Sequence, residues 1–140
     1  MELSVVIPVL NEAGNIEPLL AEVVAALQGK FDFEIVYVDD ASDDATPVEL
    51  ASARRRNPRL RVVTHRRTCG QSTALRSGII AARGDWIATL DGDGQNDPAD
   101  IPKLLEVARQ AAAAGQTVLV AGYRKRRQDS NVKRLSSRVA

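Results

Sequence analysis

Residues 3–9 read LSVVIPV, a short apolar run rich in β-branched side chains and closed by the polar pair Asn11-Glu12. Runs of the same kind recur at intervals of roughly thirty residues, at 33–38 (FEIVYV), 60–64 (LRVVT) and 86–90 (WIATL), with a fifth candidate at 117–121 (TVLVA). Bounded by Gly, Pro or polar residues, they read as buried parallel strands. The intervening spacing predicts helices. Ile16, Leu19, Leu20, Val23, Val24 and Leu27 repeat with a helical period, with Asn15 as cap and Gly29 as stop. Thr46-Pro47 opens a second helix that ends before Asn57-Pro58. A third spans about 72–83, where Ala74, Leu75, Gly78, Ile79 and Ala82 form a small-residue face. A fourth spans about 99–114 and stops at Gly115. Strand and helix alternate through residue 121, the pattern of a doubly wound α/β domain with a mainly parallel sheet and helices on both faces.

The chain has 140 residues, 44% hydrophobic and 26% charged, which fits one domain with a substantial core. Its formal charge of +1 argues against a protein that coats nucleic acid. The charges are segregated, however. Residues 1–50 hold one basic and eleven acidic groups, 51–90 nine and one, 91–115 two and five, and 116–140 seven and one. The lone Cys69 excludes an internal disulfide framework and a Cys-based zinc site, fits a reducing cytosol and is read as inert. Acidic Glu2 precedes the first apolar run, which is interrupted by Pro8, so the N-terminus is no signal peptide. No run of eighteen apolar residues spans a bilayer. After Ala121 the chain turns basic and ends within an amphipathic pattern of Val132, Leu135 and Val139. We therefore expect a core over 1–121, a basic segment over 122–140, and an N-terminal piece of something longer.

In an open parallel sheet, ligands bind beyond the carboxyl ends of the strands. The polar residues there are Asn11 and Glu12, then Asp39, Asp40, Ser42 and Asp43, then His65 to Gly70, then Asp91, Asp93 and Gln95. Asp91-Gly92-Asp93 puts two carboxylates two residues apart at a strand end. Such hard oxygen donors suit Mg²⁺ or Mn²⁺; turns also favour Asp and Gly for purely local reasons. An EF-hand is excluded, since Asn96 and Pro102 stand where that loop needs Gly and Glu. Asp39 and Asp40 suit either a nucleobase or ribose, or, with Asp43 or Asp44, the cap of the next helix. VLNEAGN is neither a GxGxxG nor a P-loop. His65, the single histidine, reads as a structural donor.

Four segments in this order and spacing, VVIPVLNEAGNI (5–16), IVYVDDASDD (35–44), GQSTALRSGIIAARGDWIATLDGDGQNDP (70–98) and IPKLL (101–105), closely resemble the family 2 glycosyltransferases with the GT-A fold. DGDGQNDP is most similar to the branch containing dolichol-phosphate mannose synthase and the bacterial polyprenyl-phosphate glycosyltransferases. The resemblance implies inverting transfer of a sugar from a nucleotide diphosphate donor. It implies that Pro8, Leu10 and Glu12 border base and ribose, although Leu10 stands where the family often has a stacking aromatic. Asp40, with Asp39 beside it, would contact the nucleobase. Asp91, Asp93 and Gln95 would hold the metal and diphosphate, and Arg124 and Arg134 would serve the reacting phosphates.

The charge arithmetic of that reaction is simple. A leaving nucleoside diphosphate gains negative charge, which Mg²⁺ or Mn²⁺ on Asp91 and Asp93, aided by arginines, would stabilise. A hydroxyl acceptor needs a carboxylate base, and after residue 100 the candidates are Glu106 and Asp129. A polyprenyl phosphate acceptor needs none, being already anionic. The basic stretch 124–138 suits that acceptor and the anionic cytoplasmic face of a membrane. The alternatives are a transferase that extends a glycan, and a donor-binding but inactive fragment.

Overall fold

The computed structural model describes residues 1–122. Four strands, β1 (Leu3–Val9), β2 (Phe33–Asp39), β3 (Leu60–Thr64) and β4 (Trp86–Thr89), form one parallel sheet in the order β3-β2-β1-β4. The central strands β1 and β2 are buried along their whole length, as their mostly apolar, β-branched sequences lead one to expect, with Ser4, Glu34 and Asp39 as buried polar exceptions. The period-two alternation of side chains divides the core. Leu3, Val5, Ile7 and Val9, with Phe33, Ile35 and Tyr37 in register beside them, face helices α1 (Ile16–Leu27), α2 (Thr46–Arg56) and α4 (Ile101–Ala113). Val6, Val36 and Val38 face α3 (Gln71–Ala81) on the other side. The result is the expected three-layer α/β/α arrangement.

Close approach of α3 depends on Gly78. A Cβ there would lie 2.3 Å from Val6 Cγ1 and 2.9 Å from Val38 Cγ2, so only glycine lets the helix rest on the two valines. Past the helix, Gly84 is pressed on the main chain of β1, where a Cβ would meet Ser4 N at 2.5 Å. Between these points the strand-to-helix register is fixed by a buried polar knot. Glu34 Oε1 accepts from Ser4 Oγ and Arg83 N, its Oε2 accepts from Arg61 Nη1, and Ser4 Oγ also accepts from Gly84 N.

Three expectations are corrected. Thr117–Ala121 is not a strand. Apolar content alone makes no strand without a paired neighbour, and this segment lies across an open groove from β4 with Leu119 96% exposed. Ile79 does not join the sheet-facing side of α3; only Ala74 and Gly78 are fully buried there, because bulkier residues would hold the helix off. Asn15 does not cap α1 with its side chain, whose Nδ2 instead donates to Glu12 Oε2. The fourth helix begins as a 3-10 turn at Pro98–Asp100, where Asp97 accepts from Ala99 N.

Candidate functional site

The loops after β1 and β2 are laced together at the carboxyl edge of the sheet. Asn11 and Ala41, non-glycine residues with φ of 57° and 64°, turn the two chains so that they run side by side. Asn11 N donates to Ser42 Oγ and Asn11 Oδ1 accepts from Asp43 N. Glu12 N donates to Thr46 Oγ1, Ala13 N to Asp44 Oδ2, and Gly14 N to both oxygens of Glu49. Four successive N–H groups are thus committed to side chains of the neighbouring loop and helix. This is the opposite of a P-loop, whose N–H groups must stay open for phosphate.

Beside this lacing, Asp40 collects the loop that follows β3. Its side chain is 3% exposed. His65 Nδ1 lies 2.6 Å from Oδ1, Cys69 N reaches both carboxylate oxygens at 2.9 and 3.1 Å, and Gly70 N donates to Oδ2 at 2.8 Å. Burial pushes the carboxyl up, but these hydrogen bonds and the charge of His65 outweigh it and hold Asp40 below the usual carboxylate range. Asp44 is lowered chiefly by its bonds to Thr46, with Ala13 N adding to them.

The turn after β4 supplies the remaining carboxylates. Gly92 is pressed against β1, where a Cβ would lie 2.5 Å from Val9 Cγ1, so the residues on either side are delivered together to the same hollow. Asp91 accepts from Gln71 Nε2 on one oxygen and from Asn96 Nδ2 on the other; Asp93 Oδ1 accepts from Gln95 N. A cavity of about 360 Å³ lies between the segments at the carboxyl ends of the four strands, lined by Pro8, Leu10 and Glu12 at and after the end of β1, Asp40 after β2, Gly70 and Gln71 after β3, and Asp91, Gly92 and Asp93 after β4. Two carboxylates fixed by a glycine-dependent turn offer an all-oxygen donor set, which fits a hard divalent cation.

Of the residues singled out from sequence, Pro8, Leu10, Glu12, Asp40, Asp91 and Asp93 come together around this cavity. Asp39 does not line it: it is buried and its Oδ1 accepts from Ser42 N, closing the turn beneath. Gln95 lines the larger adjoining groove of about 930 Å³ beside β4 and α4. Arg124 and Arg134, with the whole basic stretch from 123 onward, lie outside the described residues. Sequence reasoning missed Gln71, which both lines the cavity and holds Asp91, and Ser77, which meets His65 Nε2 at 2.9 Å. The position of Gln71 at the first turn after the third strand was the available signal.

Residues 4–138 match the family model described as Glycosyl transferase family 2. Over 135 residues the chain is 42% identical to the dodecaprenyl-phosphate galacturonate synthase of Rhizobium johnstonii, covering 92% of this chain and 38% of that protein. It is 40% identical over 139 residues to the undecaprenyl-phosphate 4-deoxy-4-formamido-L-arabinose transferase of Edwardsiella ictaluri, covering 97% and 41%. Among solved structures, a mannosyltransferase of Pyrobaculum calidifontis in complex with GDP-Man and Mn²⁺ aligns with a TM-score of 0.63 at 28% identity, over 71% of this chain and 29% of that one. The chain spans about two fifths of the length of these curated relatives.

Proposed function

The chain belongs to glycosyl transferase family 2 and carries the GT-A fold, and from that premise we propose that it supplies the donor-binding part of an inverting transferase. This enzyme moves a sugar from a nucleotide diphosphate sugar to a polyprenyl phosphate of the dolichyl or undecaprenyl class. The observation that carries the reading is the cavity at the carboxyl edge of the sheet, where Asp91 and Asp93 face the loop bearing Pro8, Leu10 and Glu12. The two curated relatives act, by their names, on dodecaprenyl and undecaprenyl phosphate.

In this reading Pro8, Leu10 and Glu12 border the base and ribose, and Asp40, with Asp39 supporting its turn, closes the base side. Asp91 and Asp93, with Gln95, would hold Mg²⁺ or Mn²⁺ for the diphosphate. That ion, when bound, supplies Lewis-acid stabilisation of the charge on the leaving diphosphate. Gln71 and Asn96 keep the Asp91 carboxylate oriented, so little reorganisation is required as charge develops. Arg124 and Arg134 pair with the reacting phosphates. A phosphate acceptor is anionic at neutral pH, so no carboxylate base is needed.

Among the described residues no helix is long and apolar enough to cross a membrane. The basic stretch 124–138 suits peripheral attachment at an anionic cytoplasmic face, at about 1 kcal/mol per cationic side chain near the surface.

The test is calorimetry with GDP and UDP, with and without Mn²⁺, on the wild-type chain and on Asp93→Asn. The variant should lose most of the Mn²⁺ dependence of diphosphate affinity. Metal dependence that survives unchanged removes Asp93 from the ion site.

A further inference from the structure

The single histidine and the single cysteine of the chain meet beside Asp40. One ligand atom from each of Asp40, His65 and Cys69 lies within 4.8 Å of the others. We propose that these three residues form a binding site for a soft divalent cation of the Zn²⁺ class, separate from the hard carboxylate pair Asp91 and Asp93.

The fold delivers two of the three ligands. Asp39 and Thr64 are register partners at the carboxyl ends of β2 and β3. Asp40 and His65 are the next residues of each chain, side by side on adjacent strands. The third comes from the loop, where the N–H groups of Cys69 and Gly70 both bond the Asp40 carboxylate and so bring the thiol in beside it. A mixed carboxylate, imidazole and thiolate set with one open position suits Zn²⁺ and disfavours Mg²⁺ or Mn²⁺. Cys69 is exposed, which gives the ion an entry path and leaves its fourth position to water. The expectation that a lone Cys69 excludes a Cys-based zinc site and is inert is thereby revised: a mixed site needs only one thiolate, and Asp40 and His65 offer the other two ligands.

The supporting contacts are already present. Gly70 N holds Asp40 Oδ2 while Oδ1 faces His65, so one oxygen can bind a metal while the other stays anchored. In the neutral ring, a proton on Nδ1 donates to the Asp40 carboxylate and leaves Nε2 to accept from Ser77 Oγ. On metal binding that proton moves to Nε2, and Ser77, whose hydroxyl can donate or accept, becomes the acceptor. The Cys69 thiol gives up one proton to solvent. Bond lengths of about 2.0–2.3 Å to zinc require the His65–Asp40 contact to open and the Cys69 side chain to close, each by about 1 Å. Cys69 Sγ now points at Arg67 O at 3.2 Å, and its exposed side chain has room to turn.

The experiment titrates the whole chain with Co²⁺ as a spectroscopic stand-in for Zn²⁺. A thiolate-to-metal charge-transfer band should appear at one Co²⁺ per chain and should be displaced by Zn²⁺. Cys69→Ser should abolish the band and lower Zn²⁺ affinity at least about tenfold, and His65→Gln should lower it comparably. Asp91→Asn should leave both unchanged. Absence of the band in the wild type overturns the proposal, as does Zn²⁺ affinity that survives Cys69→Ser. The exposed Cys69 variant keeps the test decisive should His65→Gln fold poorly. Loss of the thiolate band in Asp91→Asn would overturn the separateness of the two sites, because Asp91 would then share the Cys69-bound ion.

Discussion

Strand β2 carries a buried acid at each end, and the two serve different ends of the molecule. Glu34, near the amino end, and Asp40, just past the carboxyl end, both have side chains 3% exposed, and both gather hydrogen bonds from three other residues. For each, burial raises the carboxyl pKa and the sum of its hydrogen bonds and its partner's charge brings it below the ordinary range. The partner is where they part. Glu34 faces Arg61, a permanent cation that also ties down Ala81 O, and it lines neither cavity described above. Asp40 faces His65, whose charge depends on protonation, and it lines the cavity that also holds Asp91 and Asp93. Equal burial therefore does not imply equal purpose: a permanent counterion away from any cavity marks a fold-holding acid, and a titratable partner beside a cavity marks one that belongs to the site.

The largest effect expected from breaking this comparison is Glu34→Ala. Removing the acid leaves Arg61 and the N–H groups of the knot without their acceptor, at a cost of about 3 kcal/mol in urea unfolding. Nucleoside diphosphate affinity of the folded fraction should be unchanged; a drop in affinity at constant stability would dissolve the distinction. Asp40→Ala should cost less, about 1–3 kcal/mol, because the freed N–H groups of Cys69 and Gly70 border a wet cavity. It should weaken nucleoside diphosphate binding as well, and wild-type affinity in this variant would move Asp40 into the fold-holding class. The smallest effect is the pH dependence. A carboxyl whose folded pKa lies below its unfolded value of about 4 contributes fully above that value, and its contribution is lost as pH falls through the folded pKa. Urea midpoints measured from pH 7 down to pH 2 should decline on that limb, and Glu34→Gln should make the decline shallower.

Much of this was legible in the sequence because strand burial writes itself as short apolar, β-branched runs, each of which stays readable around one polar residue: Ser4, Glu34 or Arg61. LSVVIPV, FEIVYV and LRVVT each mark their strands to within a residue. Thr117–Ala121 misled because an edge strand exists only through its neighbour, which composition does not record. The cavity carboxylates were legible because strand ends are where ligands collect. The lacing of residues 11–14 by Ser42, Thr46, Asp44 and Glu49 was not, since it pairs positions more than thirty residues apart through loop geometry. Nor did the sequence announce that His65, Cys69 and Asp40 converge, which depends on the register of β2 against β3 and on two backbone N–H groups folding the loop back.

The two acids also act together on α3. Gly70 N, at its start, is held by Asp40, and Arg83 N, just beyond its end, is held by Glu34. Along β2 those anchors stand about 20 Å apart at strand rise. The eleven residues of α3 climb about 16 Å, and the short extended exit to Arg83 makes up the difference. Inserting or deleting one residue within the helix would advance its end by about 1.5 Å and turn it by about 100°, taking one anchor off its acid or Gly78 off its valines. The crossover is thus a gauge whose length is dictated by the strand beneath it.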